Sequence, residues 1–203
     1  IQSITSSIEK LKPDSIVMCW EGKGSAERRR KILKEYKEGR KFTGFNKLFT
    51  GNPEAEQKSF REQLIRVKQY ANTLPAYQLS VDYLEADDVI AYSCNKIFKE
   101  NFEKIIISTD RDYYQLIDKN TVLLRPVSRN MLENDVVENN IMIKKDSTKS
   151  NNKVLDKHGK SIKLNGELIT YQYLLDYQKC YPKNWIIVKC LVGDSDNING
   201  IKG

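Results

Sequence analysis

"YLEADDVIAY" (residues 83–92) places Glu85, Asp87 and Asp88 within four positions, between apolar neighbours on both sides. Carboxylates packed this closely repel one another, and burying the segment adds a desolvation cost. The plain structural explanation is helix capping, because acids in a first helical turn meet the positive end of the macrodipole. Glu85 and Asp88 are also i, i+3 neighbours, able to share one cation. Two further acidic clusters follow apolar elements. Asp110 and Asp112 come directly after the β-branched run in "IIISTDRD", and Asp194 and Asp196 follow an apolar helical stretch in "LVGDSDNI". Each cluster alone is ordinary turn chemistry. Glu21, in "CWEGKG", ends another apolar run and is an eighth candidate acid.

The flanking pattern predicts the layer that would gather these acids. "SIVMCW" (15–20), "KIIIS" (104–108) and "TVLL" (121–124) are uninterrupted apolar runs, which suit parallel strands covered on both faces. "YQLSV" (77–81) is a shorter strand. Helical spacing is expected over 1–11, 53–72, 85–101, 167–178 and 184–194. Strand–helix alternation gives an α/β layer fold with right-handed crossovers. In open α/β sheets ligands bind outside the carboxyl ends of the strands, which is where each acid cluster sits. Residues 126–166 are Asn/Lys/Ser-rich and are expected as a β-hairpin-like excursion from the layer.

Composition narrows the chemistry. The chain has 203 residues, 39% hydrophobic and 30% charged, with a net charge of +7. No apolar run approaches the roughly 20 residues that span a bilayer. Four cysteines without a C-x-x-C pair are expected as buried free thiols in a reducing compartment. A single histidine, His158, gives no zinc site and no Ser-His-Asp triad. The seven carboxylates of the three clusters, brought together, would need cations, and all-oxygen ligation selects magnesium, or manganese in its place. Two such ions are the usual device for in-line displacement at a phosphodiester. A basic stretch complements them. In "GSAERRRKILKEYKEGRK" (24–41), Arg30, Lys34, Lys37 and Lys41 would form one stripe on a helix, with Arg28, Arg29, Lys31 and Arg40 beside it. A solvated helix face is the bland alternative. Tyr36 is expected either to stack on an unpaired base or to pack in the core.

On "EGKGSAERRRKILKEYKEGRK", "EADDVIA", "ISTDRDYYQL" and "VGDSDNINGIKG", in that order along the chain, the sequence resembles the flap endonuclease / 5′–3′ exonuclease family. The resemblance implies a PIN-like three-layer α/β/α fold with a mainly parallel central sheet and a helical arch. It implies a two-metal 5′ nuclease acting on DNA with 5′ single-stranded ends or flaps, and on the RNA of RNA–DNA hybrids. Glu85, Asp87, Asp88 and Asp110 would hold the tighter ion, and Asp112, Asp194 and Asp196 the second. Lys37 and Arg40 would contact the scissile phosphate at the base of the arch, formed by residues 42–60. Glu21 stands where the family commonly has Asp, and "GDSDN" is one residue shorter than the common "GDSSDN". One catalytic domain over 1–203 is expected, without the family's first strand and its C-terminal helix–hairpin–helix. A monomer of bacterial or phage origin, working in the cytoplasm, is expected with it.

Two other functions fit some of these residues. A non-catalytic nucleic-acid-binding module with a degenerate metal site would keep the basic stretch. A phosphatase using "DRD" would leave "EADD" and the basic stretch unexplained, and Tyr114 stands where Thr or Val is wanted.

Overall fold

The apolar runs form parallel strand pairs. β1 (Val17–Trp20) pairs in parallel with β2 (Tyr77–Ser80), Val17 lying opposite Tyr77 and Trp20 opposite Ser80. β3 (Lys104–Ile107) pairs in parallel with β4 (Thr121–Pro126), and β5 (Gly166–Ile169) adds antiparallel to β4. The structure, a computed structural model, describes residues 2–37, 52–99, 101–126, 166–194 and 198–199. Among these residues the strands make separate sheets, β1–β2 and β3–β4–β5, where one central sheet was expected. Helices α1 (Gln2–Leu11), α2 (Glu27–Ile32), α3 (Pro53–Ala71) and α4 (Ala86–Tyr92) alternate with the first strands, giving the expected mainly parallel α/β architecture.

Strand register sorts the apolar side chains onto two faces. Ile106, Leu123 and Ile169 share one face, where Tyr113, Tyr114, Ile117, Leu174 and Trp185 complete the main core. The Tyr114 and Trp185 rings pack tilted, with centroids 4.8 Å apart. Tyr114 is thus a core residue, not the Thr or Val that the phosphatase motif wants at this position. On the other face Leu124 and Leu168 pack with Leu11 of α1 and with Val122. Coverage is incomplete at β3, where Ile105 and Ile107 remain 37% and 47% exposed.

Several boundaries differ from expectation. The helix expected over 85–101 ends as α4 at Tyr92 and widens into a π turn, Ser93–Ile97, where the Ser93 hydroxyl donates to the Val89 carbonyl at 2.7 Å. The helix expected over 167–178 is divided. Gly166–Ile169 takes up the free edge of β4, which buries Leu168 and Ile169, and α5 (Tyr171–Tyr177) begins only after Thr170. Thr170 Oγ1 accepts from the Tyr173 N–H at 3.2 Å and caps α5. Thr170→Ala is expected to cost about 1 kcal/mol, read as a lower urea midpoint with unchanged slope. After a 3₁₀ turn, Pro182–Asn184, comes α6 (Trp185–Val192), and then β6 (Gly193–Asp194) pairs antiparallel with β7 (Ile198–Asn199). The thiols are free but less buried than expected: Cys19, Cys94 and Cys180 are half-buried and Cys190 is exposed. Most of the excursion expected over 126–166, and the arch up to residue 51, lie outside the described residues. Among the described residues no helix is long and apolar enough to cross a membrane.

Candidate metal centre and phosphate-binding face

The loops that leave β1 and β2 are joined along their length. Gly22 N–H donates to the Leu84 carbonyl at 3.2 Å, and Tyr83 N–H donates to the Lys23 carbonyl at 2.8 Å. The Ser80 hydroxyl reaches the Glu21 carbonyl at 3.3 Å. A Cβ at residue 22 would stand 1.8 Å from the Val81 carbonyl oxygen, so the approach requires glycine. The joined loops hold Glu21 beside the entry to α4.

Glu85 is the N-cap residue of α4 and is only 2% exposed. Its backbone N–H donates to Asp88 Oδ2 at 3.3 Å, which turns Asp88 back over the helix start. A buried carboxylate must be paired. Lys37 Nζ lies 2.8 Å from Glu85 Oε1, while Arg29 Nη1 lies 2.7 Å and the Tyr36 hydroxyl 3.1 Å from Oε2. The other Arg29 nitrogen reaches Asp88 at 3.0 Å and Asp87 at 3.7 Å. One guanidinium therefore bridges all the acids of "EADD".

This arrangement corrects the expected basic stripe. Among its described residues only Glu27–Ile32 is helical; Leu33 leaves the helix at φ −129° and Lys37 adopts a left-handed φ of 55°. Arg30, Lys34 and Lys37 therefore do not share one helical face, because the chain folds back to carry Tyr36 and Lys37 onto Glu85. Tyr36 is buried, with its hydroxyl donating to Glu85, so the packed alternative holds rather than base stacking. Arg29 faces the carboxylates, whereas Arg28, Arg30, Lys31 and Lys34 are exposed.

Beyond β3, Asp110 caps a 3₁₀ turn, Arg111–Leu116, its Oδ1 accepting from the Asp112 N–H at 2.9 Å. Asp112 Oδ1 lies 2.9 Å from Lys189 Nζ of α6. Within the same turn, Tyr113 is buried and its phenol is pushed well above the usual range. Burial is the first cause, followed by the charges of Asp87, Asp110, Cys19 and Glu21. The acids that follow β1, β2 and β3 thus act on one hydroxyl. Arg40, Lys41 and Asp196 lie outside the described residues, and Asp194 ends β6. Among the described residues no three carboxylate, cysteine or histidine side chains stand close enough to hold one ion as they are. Their chemistry nonetheless fits a hard divalent ion, being carboxylate throughout, with Arg29, Lys37 and Lys189 supplying the positive charge in this structure.

Arg29 and Lys189 were not singled out as partners of the acids. For Lys189 there was a signal, since it is the one charge inside the apolar run "WIIVKCLV". Arg29 had none, because its neighbours Arg28 and Arg30 look the same in sequence.

Asp87 carries a pH signature. Burial raises its pKa above the ordinary 3.8, with Arg29 opposing the rise. A carboxyl raised in the folded state favours folding while protonated, so its contribution is full below pH 3.8 and is lost as pH rises through the folded value. Asp87→Asn, in metal-free buffer, is expected to be more stable than wild type at neutral pH. The difference should close as pH falls through the carboxylate range, as read from urea unfolding at a series of pH values.

The family model for the 5′-3′ exonuclease, N-terminal resolvase-like domain, matches residues 1–149. A thermostable DNA polymerase I of Thermus thermophilus is 30% identical over 145 residues, covering 71% of this chain and 13% of the polymerase. A 5′-3′ exonuclease of Aquifex aeolicus is 27% identical, covering 63% of this chain and 39% of that protein. The chain thus spans well under two thirds of these curated relatives. Among solved structures, phage T5 5′-exonuclease with bound divalent metal ions (zinc) superposes with a TM-score of 0.66 at 18% identity, covering all of this chain and 60% of that one. A T5 flap endonuclease in a complex with DNA and metal ions gives the same score, identity and coverage. By its matched residues, and by a fold shared with these T5 structures, the chain belongs to the 5′-3′ exonuclease family.

Proposed function

We propose that the chain is the catalytic core of a divalent-metal-dependent 5′ nuclease that hydrolyses DNA phosphodiesters at 5′ single-stranded ends and flaps. The observation that carries this is the gathering of Glu85, Asp87 and Asp88 about one guanidinium at the start of α4, with Asp87, Asp110 and Glu21 near enough for their charges to raise the same Tyr113 phenol. Glu85, Asp87, Asp88 and Asp110 would hold one ion, and Asp112, Asp194 and Asp196 a second, with Glu21 beside them. Magnesium suits this donor set, and manganese would substitute. When bound, the ions would supply Lewis-acid polarisation of the phosphate and neutralise its developing charge. Lys37, at the mouth of the site, and Arg40 would orient the scissile phosphate and stabilise the transition state. The exposed Arg28, Arg30, Lys31 and Lys34 would track the strand, making binding fall steeply with salt. RNA in RNA–DNA hybrids is a second substrate of this reading, and the working unit is a monomer. The T5 neighbours with bound metal ions and DNA support the assignment.

A binding module without catalysis is favoured by one observation: Arg29 and Lys37 already neutralise "EADD". An end-labelled 5′-flap DNA separates the two. Incubated with the full-length protein, it should be cut near the flap junction in magnesium and left intact in EDTA. A flap that is bound but uncut in magnesium would establish the binding module.

A further inference from the structure

Glu85 has both oxygens engaged by cationic donors, Lys37 on one and Arg29 on the other. A divalent ion ligated to Glu85 at about 2 Å would stand within roughly 4 Å of that guanidinium, where like charges in a half-buried site repel strongly. Ion and guanidinium therefore compete for the Glu85 oxygen that Arg29 holds. The charge count allows an exchange, since Arg29 and Lys37 together carry the +2 that one divalent ion would bring. The segment bearing them is lightly anchored. α2 itself has no buried residue; the anchor is Tyr36, with both cations over its ring at 5.8 Å and 5.2 Å.

We propose that Arg29 is a positioning residue that stands in for the divalent ion, holding Glu85, Asp87 and Asp88 together until a cation displaces it. The same displacement frees Lys37 from Glu85, so that the lysine becomes available to a phosphate only once the metal is loaded. The proposal rests on the metal-dependent reading above. A fixed structural ion pair would also oppose the ion electrostatically, but it would leave Lys37 as covered with the ion as without it.

The test uses Mn²⁺ alone with the full-length protein. Mn²⁺ affinity is measured from the paramagnetic resonance signal of the free ion. Lys37 exposure is measured by amine acetylation read by mass spectrometry. Arg29→Gln is expected to bind Mn²⁺ on the order of tenfold more tightly than wild type, within the usual span of coupling between two ligands. Lys183→Gln, the same charge change at an exposed position of the 3₁₀ turn before α6, should leave the affinity unchanged. In wild type, acetylation of Lys37 should rise severalfold when Mn²⁺ is added; this readout needs no variant to fold. Equal affinity in wild type and Arg29→Gln, or Lys37 labelling indifferent to Mn²⁺, overturns the exchange and leaves the metal reading standing. No Mn²⁺ binding by either protein overturns both.

Discussion

Asp110→Ala is expected to slow 5′-flap cleavage in magnesium by more than about 100-fold, since even residues that only support a metal ligand cost about 10–100-fold. Asp110 ends the run after β3 and, with Asp87, is one of the acids whose charge acts on Tyr113, which ties the second acid cluster to the first. Its structural duty is small. It caps one 3₁₀ turn through the Asp112 N–H, and Asn could do the same. Asp110→Asn therefore separates the roles, keeping the cap while losing the charge. Both variants should bind the flap within a few-fold of wild type, because the exposed arginines and lysines of 28–34 are untouched. Unchanged single-turnover cleavage in both would remove Asp110 from the site.

The second large effect is on stability. Glu85→Ala is expected to destabilise the metal-free protein by about 3 kcal/mol, the range for breaking a buried pair by removing one partner. Lys37 loses its ion-pair partner, and the buried Tyr36 hydroxyl loses its acceptor. Arg29 keeps Asp88 at 3.0 Å and is 32% exposed, which holds the loss below the sum of the separate contacts. Urea unfolding in EDTA measures it. Glu85→Gln, which keeps the shape and one acceptor oxygen, should lie between. A loss near zero for Glu85→Ala would mean that the Arg29–Glu85–Lys37 cluster contributes nothing to the fold.

The strands were legible because apolar runs leave a local mark, even where they are only partly covered. The runs around Val17–Trp20, Lys104–Ile107 and Thr121–Pro126 are apolar in sequence and pair as strands in space. Gly166–Ile169 was misread, because "GELI" is continuous with helical spacing and only the open edge of β4 makes it a strand. The acid clusters were visible for the same local reason, being carboxylates at the ends of apolar runs. What neutralises them was not visible. Whether a cation in "ERRRKILKEYK" faces solvent or Glu85 depends on where the helix stops, and Leu33 and Lys37 carry no helix-ending residue type. The stripe predicted by helical spacing failed at that point, and Tyr36 and Lys37 moved from its outer face to the buried carboxylate.

Diffraction from crystals of the full-length protein grown with Mn²⁺ would test the site most directly, using the anomalous signal of manganese. Peaks within about 2.5 Å of carboxylate oxygens of Glu85, Asp87, Asp88 and Asp110, with Arg29 withdrawn from Glu85, are the expected result. Manganese absent from these carboxylates, with Arg29 still bridging them at saturating ion, would contradict the metal centre.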